Sequence, residues 1–197
     1  MASWSRDPIS TKLFLAGMLG GLGAAVLVVL AMVLLGEYTK TGGRLFLTAL
    51  VLAGFCFSAL APSALHRRQR FRPLATAGML AAAAGFILVA TGIWATPDSD
   101  AYWKSAAIAS ILAWSTFQVS LLLLLVPGRP LMHGVQWVAV AAASLAAVLT
   151  VLGIILELKA APYWWAVFLI VVTALAGSFA AWALHRRTGP GATVPPA

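Results

Sequence analysis

Charge is scarce in this sequence, and it is kept to the edges. Charged residues make up 9% of 197 residues, and only five are acidic. None falls inside six long apolar stretches, at Leu13–Gly36, Leu45–Leu65, Pro73–Pro97, Ser105–Gly128, Gly134–Leu156 and Ala160–Leu184. Without a lysine in any span, a retinal Schiff base has no anchor. Without an aspartate or glutamate there, an ordinary intramembrane proton or sodium relay has no carrier. The single cysteine, Cys56, excludes a disulfide within one chain and any cysteine-based metal motif. A Gly-x-Ser-x-Gly elbow, a phosphate-binding loop and a His-Glu-x-x-His zinc motif are also missing. No catalytic residue, cofactor or metal is expected.

What is there is hydrocarbon. The composition is 62% hydrophobic, outside the range of soluble domains. Each stretch reaches the ~20 apolar residues that a helix needs to cross a bilayer. The fold class expected is an all-α integral membrane protein with six transmembrane helices, arranged as three antiparallel hairpins. Residues 1–12 form a short N-terminal tail, 13–187 the bundle, and 188–197 a Pro/Gly-rich, disordered C-terminal tail. The first stretch is too long for a signal-peptide core, and no small-x-small cleavage site follows it, so it is expected to remain as a span.

The formal charge of +8 does not indicate nucleic acid, because the basic residues alternate between loops. Nine of them, Arg6, Lys12, Arg67, Arg68, Arg70, Arg72, Arg129, Arg186 and Arg187, fall on one side, and four, Lys40, Arg44, Lys104 and Lys159, on the other. The positive-inside bias then places both termini in the cytoplasm. The cluster Arg67, Arg68, Arg70, Arg72, Arg186 and Arg187 is also the candidate contact for anionic lipid. The alanine-rich composition and short loops suggest a bacterial inner membrane.

A period of about sixty residues runs through the chain. Ala16-Gly17-Met18-Leu19 recurs as Ala77-Gly78-Met79-Leu80, and Tyr102-Trp103 as Tyr163-Trp164, both at an offset of 61. Glu37 maps onto Asp98 at the same offset, and Ala64–Arg68 onto Ala183–Arg187 at 119. The expectation is a threefold parallel repeat, one hairpin per unit. Small residues four apart predict helix seams: Gly17 with Gly21, Gly20 with Ala24, Gly54 with Ser58, Gly78 with Ala82, Ala81 with Gly85, Ala106 with Ser110, and Gly177 with Ala181. The bulky run Leu121–Leu125 is expected to face lipid or a partner. Pro62 is expected to kink its span. Tyr38, Trp94, Tyr102, Trp103, Tyr163, Trp164 and Trp165 form an outer aromatic belt, with Trp137 and Trp182 nearer the inner boundary.

Three constellations carry candidate chemistry. Ser110, Trp114 and Gln118 share one face of the fourth span; Gln118, as an amide in hydrocarbon, must find a partner, either across a helix seam or in a small pocket. His66, His133 and His185 lie at the cytoplasmic boundary, where haem or metal ligation competes with a plain interfacial role beside arginines. Glu37, Asp98 and Glu157 sit at the outer turns with lysines close by. The reading that fits best is a non-catalytic subunit, held by lipid and by another membrane protein or copies of itself. A small transporter or channel for a neutral or lipophilic solute comes second, and a haem- or quinone-associated electron-transfer anchor third. The charge asymmetry yields a direct expectation: a fluorescent protein fused to the C-terminus should glow, and an alkaline phosphatase fusion there should be inactive. The opposite pair of results would invert the topology.

Overall fold

A hydrocarbon solvent leaves backbone polar groups nothing to bond to but each other, so a chain this apolar must be helical. The computed structural model describes residues 9–35, 39–69, 71–124 and 130–187, with side chains described for 12–33, 39–69, 71–124, 133–177 and Phe179. Glu37, Tyr38, Arg70, Arg129 and residues 1–8 and 188–197 lie outside the described residues, as do the side chains of Trp182, His185, Arg186 and Arg187.

Six helices follow in order: α1 (Ile9–Leu35), α2 (Lys40–Arg67), α3 (Arg72–Ala95), α4 (Asp100–Leu124), α5 (Pro130–Ile155) and α6 (Ala161–Arg187). Five are long and apolar enough to cross a membrane, as a multi-pass membrane protein requires. The apolar stretch described in the sixth, Ala161–Gly177, is shorter. α1 to α5 begin before their apolar stretches and take up flanking polar residues such as Lys40, Arg72 and Asp100. Thr39 caps α2, its Oγ1 accepting from Gly42 N at 3.0 Å. α3 and α5 both end at a non-glycine residue in the left-handed region, Thr96 (φ 43°) and Glu157 (φ 51°).

The chain divides into two compact units, Met1–Phe117 and Gln118–Ala197. Within the first, α1 packs on α2 and α2 on α3; within the second, α5 packs on α6. The contacts are made by small residues, as expected where lipid tails are as apolar as leucine and only close approach distinguishes a helix from its solvent. A Cβ on Gly21 would lie 2.9 Å from Ala49 O and 3.0 Å from Ala53 N, so the two backbones of the first hairpin touch there. A Cβ on Gly17 would lie 2.7 Å from Cys56 Sγ. In the α3–α4 hairpin, Gly78 stands in the same relation to Thr116 Oγ1, at 2.9 Å. In the α5–α6 hairpin, a Cβ on Gly177 would lie 3.2 Å from Ala139 Cβ. One turn further along, Gly21 and Ala53, Ala82 and Ala113, and Ala143 and Ala174 are all buried.

One expectation needs adjusting. Within the run at 121–124 the side chains do not share one environment: Leu121 is exposed, but Leu122 is buried against Ala139 and Val140. α2 is helical through Pro62, from Lys40 to Arg67. The Pro62 ring is buried, with Cγ 3.0 Å from where a Gly78 Cβ would stand. Ser58 and Ser63 flank it and donate to Phe55 O and Leu60 O. Among the predicted seams, Gly21, Gly78, Ala82 and Gly85 are buried, whereas Gly20, Ala24 and Gly54 are exposed.

This contrast is measurable. Gly21→Ala should lower the thermal midpoint in detergent, because forcing two backbones apart costs about 1–3 kcal/mol. Gly20→Ala, whose Cβ would meet nothing within 4 Å, should be neutral or stabilising. Equal losses in both variants would refute the proposed backbone contact at Gly21.

Candidate functional site

Ser110 and Trp114, two of the three residues singled out on α4, come together in the first unit. With Val51, Gly54, Phe55 and Ser58 of α2 and Ala113 of α4 they line an open groove of about 310 Å³. Trp114 is half exposed and its ring lies 5.6 Å from Phe117, which in turn is 4.8 Å from Phe57 of α2. The groove is apolar in effect as well as in composition. Its two hydroxyls are turned back onto their own helices, Ser110 Oγ donating to Ala106 O at 2.7 Å and Ser58 Oγ to Phe55 O at 2.9 Å. Neither proton is left for a ligand. Gln118 is half-buried and does not line this groove.

The amide that is tied into the structure is a different one. Gln136, in the second turn of α5, is buried and donates from Nε2 to Leu122 O at 2.6 Å. Leu122 belongs to the last described turn of α4. Gln136 thus caps that turn from α5. Attention to Gln118 passes over this residue, although Gln136 also falls inside the fifth apolar stretch. The rule that demands a partner for an amide in hydrocarbon would have found it.

The Tyr–Trp pairs among the aromatic residues are tied to specific partners. Tyr102 donates through its hydroxyl to Leu88 O and Trp103 Nε1 to Pro97 O at 3.0 Å. Tyr163 donates to Leu149 O and Trp164 Nε1 to Leu158 O at 2.7 Å. In both pairs the rings meet edge to face, at 5.6 Å and 5.5 Å with an interplanar angle of 87°. Each pair closes over a buried glycine, Gly92 under Trp103 and Tyr102, Gly153 under Tyr163 and Trp164. Every partner in the second set stands 61 residues after its counterpart in the first. The first hairpin is closed differently: Gly42 on α2 faces Met32 of α1, 3.3 Å from Cε to a Cβ placed there.

The remaining candidates stay at the surface. Arg67, Arg68 and Arg72 are exposed. His66 is exposed, and His133 Nε2 accepts a hydrogen bond from Trp137 Nε1 at 3.0 Å. Asp98, Asp100 and Glu157 are exposed at the α3–α4 and α5–α6 turns. Among the described residues, no three His, Cys, Asp or Glu side chains converge on one point.

The architecture is that of an all-helical protein with several helices fit to span a membrane. Comparison with known families, characterised proteins and solved structures gives no match, so the reading of function rests on the molecule itself. Gln136→Leu should lower the thermal midpoint in detergent, since leaving Leu122 O buried and unpaired costs about 1–3 kcal/mol. Gln118→Leu should change it little. A reversed order would return the structural role to Gln118.

Proposed function

We propose that this chain is a non-catalytic subunit or assembly partner in a membrane complex. The observation that carries the reading is the open small-residue face of α1. Gly20 and Ala24 are exposed there, and a Cβ on Gly20 would touch nothing. Glycine in a helix costs about 1 kcal/mol relative to alanine, and a lipid-facing position gains nothing in return. The gain comes from another helix brought close.

Several finer points belong to the same proposal. The three hairpins are three copies of one unit of about sixty residues, a reading supported by the matched glycine contacts and by the paired Tyr–Trp closures. Both termini face the cytoplasm, and the membrane is a bacterial inner membrane. Arg67, Arg68, Arg70, Arg72, Arg186 and Arg187 then lie on the cytoplasmic side and meet anionic headgroups.

A second reading has one observation in its favour. The groove beside Trp114 and Ser110 is the right size and polarity for a lipophilic solute, so a small transporter or channel is the alternative. No contact among the described residues favours the haem or quinone anchor.

Native mass spectrometry of the protein released gently from its own membrane separates these. Under the subunit reading, it arrives with further polypeptide at fixed stoichiometry. Arrival as a bare monomer would overturn that reading, and arrival as a monomer holding a small molecule would favour the groove.

A further inference from the structure

A tryptophan in hydrocarbon needs an acceptor for its indole N–H, because no water is there to supply one. Most tryptophans with described side chains have one. Trp94 Nε1 donates to Thr48 Oγ1 at 3.1 Å, Trp103 Nε1 to Pro97 O at 3.0 Å, Trp137 Nε1 to His133 Nε2 at 3.0 Å and Trp164 Nε1 to Leu158 O at 2.7 Å. Trp114 and Trp165 have no acceptor among the described residues. Trp165 lies in the second turn of α6, near a helix end, where headgroups and water are within reach. Trp114 lies in the middle of α4, which runs from Asp100 to Leu124 and is long and apolar enough to cross a membrane. At ~1.5 Å per residue both ends of that helix are at least ~15 Å away, half the thickness of a hydrocarbon core.

Trp114 is also a wall of the groove between α2 and α4, together with Phe55, Ser58 and Ser110. At about 310 Å³ the groove is within the range of small-molecule sites. Phe117 does not take the indole proton on its ring face. The N–H lies in the indole plane, and the two rings are inclined by only 35°, so the bond runs along the phenyl face and not into it. A phenylalanine at position 114 would fill the same wall without burying a donor, as Phe57 and Phe117 do beside it.

We infer that this groove binds an uncharged lipophile carrying a carbonyl oxygen, and that this oxygen accepts the Trp114 indole N–H. The inference deepens the second reading above, that of a groove for a lipophilic solute, and rests on it. The ligand class follows from the lining. Ser58 and Ser110 have given their protons to Phe55 O and Ala106 O, so the indole is the donor left over and the ligand brings the acceptor. No charged residue stands in any apolar stretch to balance an ion, so the ligand is neutral. The acyl chain of a lipid matches the groove in polarity but has no acceptor at that depth, since its ester oxygens stay near the headgroups. A carbonyl flanked by alkyl groups supplies one.

The test uses the full chain in nanodiscs, with its tryptophans labelled on the indole nitrogen. The Trp114 resonance is the one that disappears in Trp114→Phe. Methyl nonyl ketone is titrated in, with undecane as the alkane of equal chain length. The ketone should move the Trp114 N–H proton downfield and leave the bonded indoles of Trp94 and Trp103 in place; undecane should not produce that shift. Trp114→Phe keeps the apolar wall. It should weaken ketone binding about tenfold, the worth of one neutral hydrogen bond, and leave undecane binding unchanged, both read from broadening of the ligand methyl signal against empty discs. Retained resonances of the other indoles show that the variant is folded, and the wild-type titration stands by itself if it is not. Equal shifts from ketone and alkane, or unchanged ketone binding in folded Trp114→Phe, would overturn this inference and leave the groove reading. No shift at Trp114 from either ligand would overturn both.

Discussion

Close approach between small residues is the constraint on which this structure depends. In water a helix hairpin is held by the burial of its apolar stripe. In lipid that driving force is missing, because the alternative environment is equally apolar. The residues that hold α1 to α2, α3 to α4 and α5 to α6 are accordingly glycines, alanines and hydroxyl or thiol side chains. At Gly21 the separation is so small that a single methyl group would strike backbone. Many leucines, valines and phenylalanines stand half exposed at the surface, although Leu65 and Leu122 are fully buried.

Polar groups obey the complementary rule. Many hydroxyls among the described span residues are folded back onto a carbonyl of their own helix, as in Ser58, Ser110, Thr116 and Thr150. Such residues satisfy themselves and leave nothing to bind with, whereas the buried Ser120 Oγ has no partner among the described residues. Where polarity crosses between helices it serves closure: Gln136 caps the end of α4, and Tyr102 and Tyr163 reach back to carbonyls fourteen residues earlier. Tyrosine and tryptophan suit this position, since each has an apolar body and one polar tip. The polar side chains that cross between helices hold hairpins together, in keeping with the structural role proposed above.

The hairpins reach one geometry by different side chains. Gly17 with Cys56, Gly78 with Thr116 and Ala139 with Gly177 do the same work with the small residue moved from one helix to the other. The Tyr–Trp closure of the second and third hairpins is replaced in the first by Gly42 and Met32. What recurs is a small residue set close against its neighbour. Residue identity is one of several ways to achieve it, so letter matches reveal only part of the pattern.

The sequence by itself determined the number and order of the helices, because a run of twenty apolar residues has one structure open to it in a membrane and charge marks its ends. It also carried the offset that links Tyr102-Trp103 to Tyr163-Trp164. Tertiary structure alone decided which face of each helix is a seam. Gly20 and Gly21 are adjacent and identical, yet one is open and the other lies against backbone, and composition has no means of telling them apart. It likewise decided that Gln136 is the helix-capping amide, and that Ser110 and Trp114 share a groove from which Gln118 is absent. Periodicity places residues on a common helix face; only the neighbouring helix determines what that face meets.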